Sequence, residues 1–248
     1  MSQHNRTASE PSTSNVARVG LYAALATALV TLVTFALAMI AIPISGANCP
    51  GECATYPYLD TVSQYPRDFL WMLFAMFVVV GYVTLMVSIH SYVDGQKKIL
   101  AQVGLSFALI AAGVLLIDYY LQFFVVPMSL MNTETQGLAL LIQYNPHGIF
   151  LALEELGYLV MALSFLFVGL ALPNTGRLET AVRWIFVAGF GLVALSLVAI
   201  SLGYGLEKLD RFEVLALSID WLVLIVNGIL LSILFRRRLK TAAAQGIQ

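Results

Sequence analysis

Six stretches of this chain, each about twenty residues or longer, are almost wholly apolar: 19–42, 69–93, 99–126, 148–172, 183–203 and 213–235. At about 1.5 Å per residue, a helix of that length crosses the roughly 30 Å hydrocarbon core of a bilayer. Charged residues make up 11% of the chain and hydrophobic residues 60%. A soluble domain carries about 25% charged residues, so polar surface is too scarce here to cover a globule in water. Lipid must cover the remainder. Backbone in lipid has to satisfy its own hydrogen bonds, which leaves helices or closed barrels, and the ten-residue alternation of barrel strands is absent. The expected fold is all-α: a polytopic integral membrane protein built as a six-helix transmembrane bundle.

The flanks set the organisation. Residues 1–15, "MSQHNRTASEPSTSN", are polar and predict a disordered tail; 16–238 form one transmembrane domain and 239–248 a C-terminal tail. The apolar run after Arg18 is too long for the core of a cleaved leader, so the first span is expected to stay. With the N-terminus placed inside, Arg6, Arg18, Lys97, Lys98, Arg177, Arg183, Arg236, Arg237, Arg238 and Lys240 share the inner side, and only Arg67, Lys208 and Arg211 lie outside. The positive-inside rule then predicts a cell-membrane protein with both termini in the cytoplasm. The acids divide the other way, all but Glu10, Asp94 and Glu179 falling on the outer side, and such a surface concentrates cations.

Cys49 and Cys53, in "CPGEC", belong to the first outer loop. That compartment is oxidising and no other thiol is present, so a disulfide is expected. An alternative is thiol–disulfide chemistry beside a quinone: the pair resembles that of membrane oxidoreductases with cysteines after their first span. Those enzymes use C-x-x-C and a second cysteine pair, and this chain has neither.

The fourth span carries two adjacent acids, Glu154 and Glu155, in its first third. Helical spacing puts His147, Glu154 and Tyr158 within one sector, with Glu155 bordering Tyr158. In the third span, Asp118 and Gln122 lie one turn apart on one face. In the sixth, Asp220 and Asn227 are seven apart, again on one face. Counted from the outer ends, the carboxylates of these three spans all lie about 10–14 Å deep. Ionised carboxylates are costly in hydrocarbon, by roughly 2.5 kcal/mol or more at mid-bilayer, so they are expected to face a cavity or a partner. The expected ligand set is Asp118, Gln122, His147, Glu154, Glu155, Tyr158, Asp220 and Asn227 around one wet, outward-facing pocket. The bland alternative leaves the same acids as unrelated interfacial groups where the helices protrude.

Small residues mark a packing face on the first span: Gly20, Ala24, Thr27, Thr31, Thr34 and Ala38 recur at three- and four-residue steps. Six spans, both ends inside and an outward-facing polar pocket together resemble the substrate-binding subunits of vitamin uptake systems. "ALATA", Ala24 to Ala28, has the A-x-x-x-A spacing such subunits use to dock a transducing partner. The resemblance implies a partner membrane subunit on the Ala24, Ala28 and Thr31 face; the polar tail and the "CPGEC" loop depart from that plan. The stretch "MNTETQGLALLIQYNP" before the fourth span is apolar enough to predict a short interfacial helix capped near Asn132.

Motifs for zinc proteases, di-iron bundles, phosphate loops, serine hydrolases and dinucleotide binding are missing, as is any nucleic-acid signature. No metal or cofactor is expected, and catalytic residues stay unassigned. The favoured reading is binding or transport of a small, cationic solute from the outer pocket, with proton exchange. Two alternatives stand beside it: a structural or regulatory protein whose polar groups only hold helices together, and a membrane-embedded enzyme acting on a lipid or isoprenoid by carboxylate acid/base chemistry.

Overall fold

In the computed structural model, which describes residues 13–41, 44–46 and 49–244, every regular element is helical. Six helices are long and apolar enough to cross a membrane. They are α1 (Thr13–Ile40), α2 (Leu70–Tyr92), α3 (Lys98–Tyr120), α4 (Ile149–Ala171), α5 (Arg177–Tyr204) and α6 (Leu209–Ala244). Each helix packs on its sequence neighbours from α1 through α6, and α6 returns to pack on α1, so the bundle is a closed ring; α4 also touches α6 across it. Outward faces are aliphatic. Leu192, Leu195, Val198 and Leu202 of α5 are 55–83% exposed, a surface suited to lipid rather than water.

Alternating helix directions gather the loops at two ends. At one end, which we call the disulfide end, Gly46 of the first loop lies against Asp210 of α6 and Pro146 of the second long loop. Gly46 has φ +68 and no room for a side chain, since a Cβ there would lie 2.7 Å from Asp210 Oδ2. Cys49 and Cys53 form the expected disulfide in that loop. At the other, terminal end, Tyr92 of α2 meets Glu179 of α5 and Arg238 of α6.

The small-residue face of α1 is used within the chain. Ala24, Ala28 and Thr31 are 0, 7 and 0% exposed, and α1 lies against α6 and α2. A methyl group on Gly228 of α6 would lie 2.8 Å from Ala28 Cβ and 2.9 Å from the Ala24 carbonyl oxygen. One on Gly20 would strike the Phe235 ring at 2.7 Å. Only glycine lets these two helices approach so closely. The Thr31 and Thr34 hydroxyls donate back to the carbonyls of Thr27 and Val30, at 2.7 Å each, so a buried threonine stripe requires no partner beyond its own helix.

Several boundaries differ from the sequence expectation. α1 starts at Thr13, inside the stretch assigned to a tail; residues 1–12 of that tail lie outside the described residues. α6 continues through "RRRLKTAAA" to Ala244, well beyond residue 235, because arginine, lysine and alanine are all good helix formers. α3 does not stop at 126. Pro127 lacks an N–H and its ring obstructs the preceding turn; the helix widens into a π turn over Leu121–Val125, then runs on as Val126–Met131. The expected interfacial helix is absent: residues 132–148 hold a single 3-10 turn, Leu138–Leu140. Leu138 and Ile142 are buried in the protein at 5 and 0% exposure, so the apolar character of this loop serves the core instead of the lipid surface.

Candidate functional site

Three helices bring carboxyl groups together near the disulfide end. Glu154 and Tyr158, one turn apart on α4, both turn inward and are each 1% exposed. Tyr119 of α3 donates a hydrogen bond to Glu154 Oε1 at 2.8 Å, and its hydroxyl lies 2.6 Å from that of Tyr158. Glu213, in the first turns of α6, reaches Glu154 within hydrogen-bonding range. Asp118, beside Tyr119 on α3, is buried next to this pair and one of its oxygens, Oδ2, has no hydrogen-bond partner among the described residues. Neither Glu154 nor Glu213 joins an ion pair among the described residues. Two carboxyls in contact hold together when a proton, a metal ion or an ammonium group lies between them.

That pair borders a partly open cavity of about 340 Å³. Its floor is aromatic and aliphatic, with Phe35, Trp71, Phe150 and Leu217; its polar groups are Asp68, Glu154, Asp210, Glu213, Gln143 and Tyr144. The disulfide loop contributes Ile44, Ser45 and Gly46 to the wall. Asp68 is neutralised by an exposed Arg67, whose Nε and Nη2 donate to its two oxygens at 2.5 and 3.1 Å. The Tyr144 hydroxyl and the Gln143 side-chain nitrogen are buried without partners among the described residues. Burial, with the nearby Asp68 carboxylate, pushes the Tyr144 phenol above its ordinary range, so it keeps its proton and remains a donor. The cavity thus offers two like-charged acceptors, two unused polar groups and a ring-lined floor. Among the described residues, no three His, Cys, Asp or Glu side chains converge as a metal-ligand set.

The eight residues picked from the sequence divide into two groups. Asp118, Glu154 and Tyr158 come together as described. Of the eight, Glu154 alone lines the cavity. Glu155, one residue on, points away and forms an ion pair with Lys208. The Gln122 amide donates to the Leu141 carbonyl, and its oxygen accepts from the Gln143 N–H at 3.2 Å, which ties the loop to the π turn. His147 faces outward and pairs with Glu207 at 3.2 Å, both well exposed. Asn227 lies toward the terminal end and donates to the Val182 carbonyl of α5 at 3.3 Å. Asp220 is fully buried between the cavity and Asn227; both of its oxygens lack partners among the described residues.

Sequence reasoning missed Glu213, Asp210, Asp68, Tyr119, Trp71 and Tyr144. Glu213 had a signal: it precedes Asp220 by seven residues and therefore shares its face of α6. Treating it as the span's outer limit concealed that role. Asp68 and Asp210 sit at helix starts, where acids are common for the helix dipole alone and carry no mark of a cavity. Comparison of the chain with protein-family models, with curated proteins and with solved structures finds no match.

Proposed function

We propose that this chain is a multi-pass membrane protein that binds a small organic cation in the cavity at its disulfide end. The ammonium head sits against the Glu154–Glu213 carboxyl pair, and the apolar body lies over Trp71 and Phe150. One observation carries the reading: two carboxyls from different helices meet without a basic partner at the wall of a ring-lined cavity. A cation supplies the missing charge, and an aromatic floor adds cation–π attraction of about 0.5–2 kcal/mol. Solute sites of this kind are concave, mostly apolar and equipped with a few convergent polar groups.

The orientation belongs to the same proposal. The described basic residues Arg18, Lys97, Lys98, Arg177, Arg183, Arg236, Arg237, Arg238 and Lys240 gather at the terminal end. By the positive-inside rule, that end faces the cytoplasm of a cell membrane, and the cavity faces the exterior. There the acid-rich end raises the local concentration of cations before they enter.

The test uses phenethylammonium as probe and uncharged 2-phenylethanol as control, read by thermal unfolding of the full chain in detergent. Phenethylammonium is expected to raise the midpoint in a saturable way, and the alcohol to leave it unchanged. Glu213→Gln removes the charge pair without altering shape, and the stabilisation should be lost. Equal stabilisation by alcohol and amine, or a Glu213→Gln variant that responds like the parent, sinks the reading. The structural alternative draws its support from Gln122, Glu155 and Asn227, which hold neighbouring elements together; it expects no response to the amine at all.

A further inference from the structure

Asp220 plays no part in the cavity wall, and nothing yet described uses it. It is 0% exposed, deep in α6 beside Trp221, and both of its carboxylate oxygens are without partners among the described residues. Its ring neighbour Trp221 packs on Tyr158 with centroids 6.4 Å apart and on Trp71 at 6.1 Å. The groups facing Asp220 are few. From α2 comes the fully buried Tyr82, and from α4 comes Tyr158. At this depth α1 brings the Phe35 ring, 5.8 Å from Trp221. α5 brings no ionisable group, since Arg177, Glu179 and Arg183 all lie near its start. On α6 itself, Glu213 is two turns away on the cavity side.

We propose that Asp220 is a proton-binding site, connected to the cavity through Tyr158, Tyr119 and Glu154. The hydrogen bonds give the connection a direction. A phenol has one proton to donate. Tyr119 gives its proton to Glu154 at 2.8 Å, so across the 2.6 Å contact Tyr158 is the donor and Tyr119 the acceptor. Tyr158 then has an acceptor lone pair unused, with Asp220 the carboxyl on its side away from the cavity. A buried carboxyl with no cation beside it, and no donor to it, is tolerated when it carries a proton itself.

Transfer along this line balances. One O–H bond breaks at Asp220 and one forms at Glu154, while each phenol releases a proton as it takes one up and stays neutral. Glu154 can hold that proton or help hold an ammonium head, so cation and proton exclude each other at one carboxyl. The regulatory meaning rests on the cavity being the cation site; the proton site and its connection do not.

Infrared spectroscopy of the full chain in detergent, without added amine, tests the proposal. A protonated-carboxyl C=O band is expected in the parent, missing in Asp220→Asn and displaced in Asp220→Glu. On transfer to D₂O, the band shifts as the proton exchanges; Tyr158→Phe should keep the band but slow that exchange at least about tenfold, a barrier rise of about 1.4 kcal/mol. An unchanged band in Asp220→Asn, or exchange at the parental rate in Tyr158→Phe, overturns the proposal. If Asp220→Asn yields no folded protein, an undisplaced band in Asp220→Glu overturns it equally. Because no amine is present, failure of cation binding leaves these outcomes untouched. A separate titration with phenethylammonium reports the coupling: the Glu154 carboxyl signal should change in the parent and remain constant in Glu213→Gln.

Discussion

At the terminal end of the bundle, unlike groups find each other. Arg238 donates to the Tyr92 hydroxyl at 2.9 Å and lies over its ring at 4.8 Å; that hydroxyl donates in turn toward Glu179 Oε1 at 3.4 Å. Phe235 packs on Tyr92, and glycines let α1 and α6 close without a gap. At the disulfide end, like groups meet. Glu154 faces Glu213, Asp118 stands beside them, and a cavity remains where the loops cover the helices. Both ends are well supplied with charge, so charge alone does not make a site. A binding site is marked by charges of one sign that the fold leaves together, and a structural contact by charges the fold has already paired.

Three substitutions press on that contrast. The largest effect is expected at Gly228→Leu, which drives a side chain into Ala28 and the Ala24 carbonyl and separates α1 from α6. Overpacking of this kind costs about 3 kcal/mol, visible as a fall in the thermal midpoint in detergent; a midpoint like the parent's would mean that the close end is not close. Lys208→Met comes next. It leaves the buried Glu155 without its cation, at about 2 kcal/mol, yet the phenethylammonium response should persist, because Glu155 does not line the cavity. Loss of that response would move Glu155 from the paired group to the open one. The smallest effect is expected for Tyr92→Phe, which deletes the hydroxyl linking Arg238 and Glu179. The loss of one partly exposed bond of this kind is about 1 kcal/mol, again with the amine response intact.

The fold was largely legible in the sequence because length and apolarity are enough to specify a span. Boundaries were less so. The apolar count cannot see that "RRRLKTAAA" stays helical in water, or that α3 passes Pro127 by widening its last turns. For the site, depth was legible and direction was not. Counting along each helix correctly placed Asp118, Glu154 and Asp220 at similar levels. Which of them share a space depends on how each helix is rotated against its neighbours, and spacing within one helix carries no such information. Gln122 and Glu155 show why: in sequence, a polar residue that will bond to a loop carbonyl or a lysine looks the same as one left open. Glu213 shows the reverse, a residue with the right spacing that was read as an end marker.

The closed ring of helices has one further implication. Where the last span returns to the first, no span is first except by the accident of where the chain was started. Joining Ala244 to Thr13 by a short linker and reopening the chain at 173–176, between α4 and α5, would leave every helix with the neighbours it has now, and both new ends would emerge on the side where the old ones did. Such a circular permutant, or two fragments divided at that point and produced together, calls for no contact that the present chain lacks.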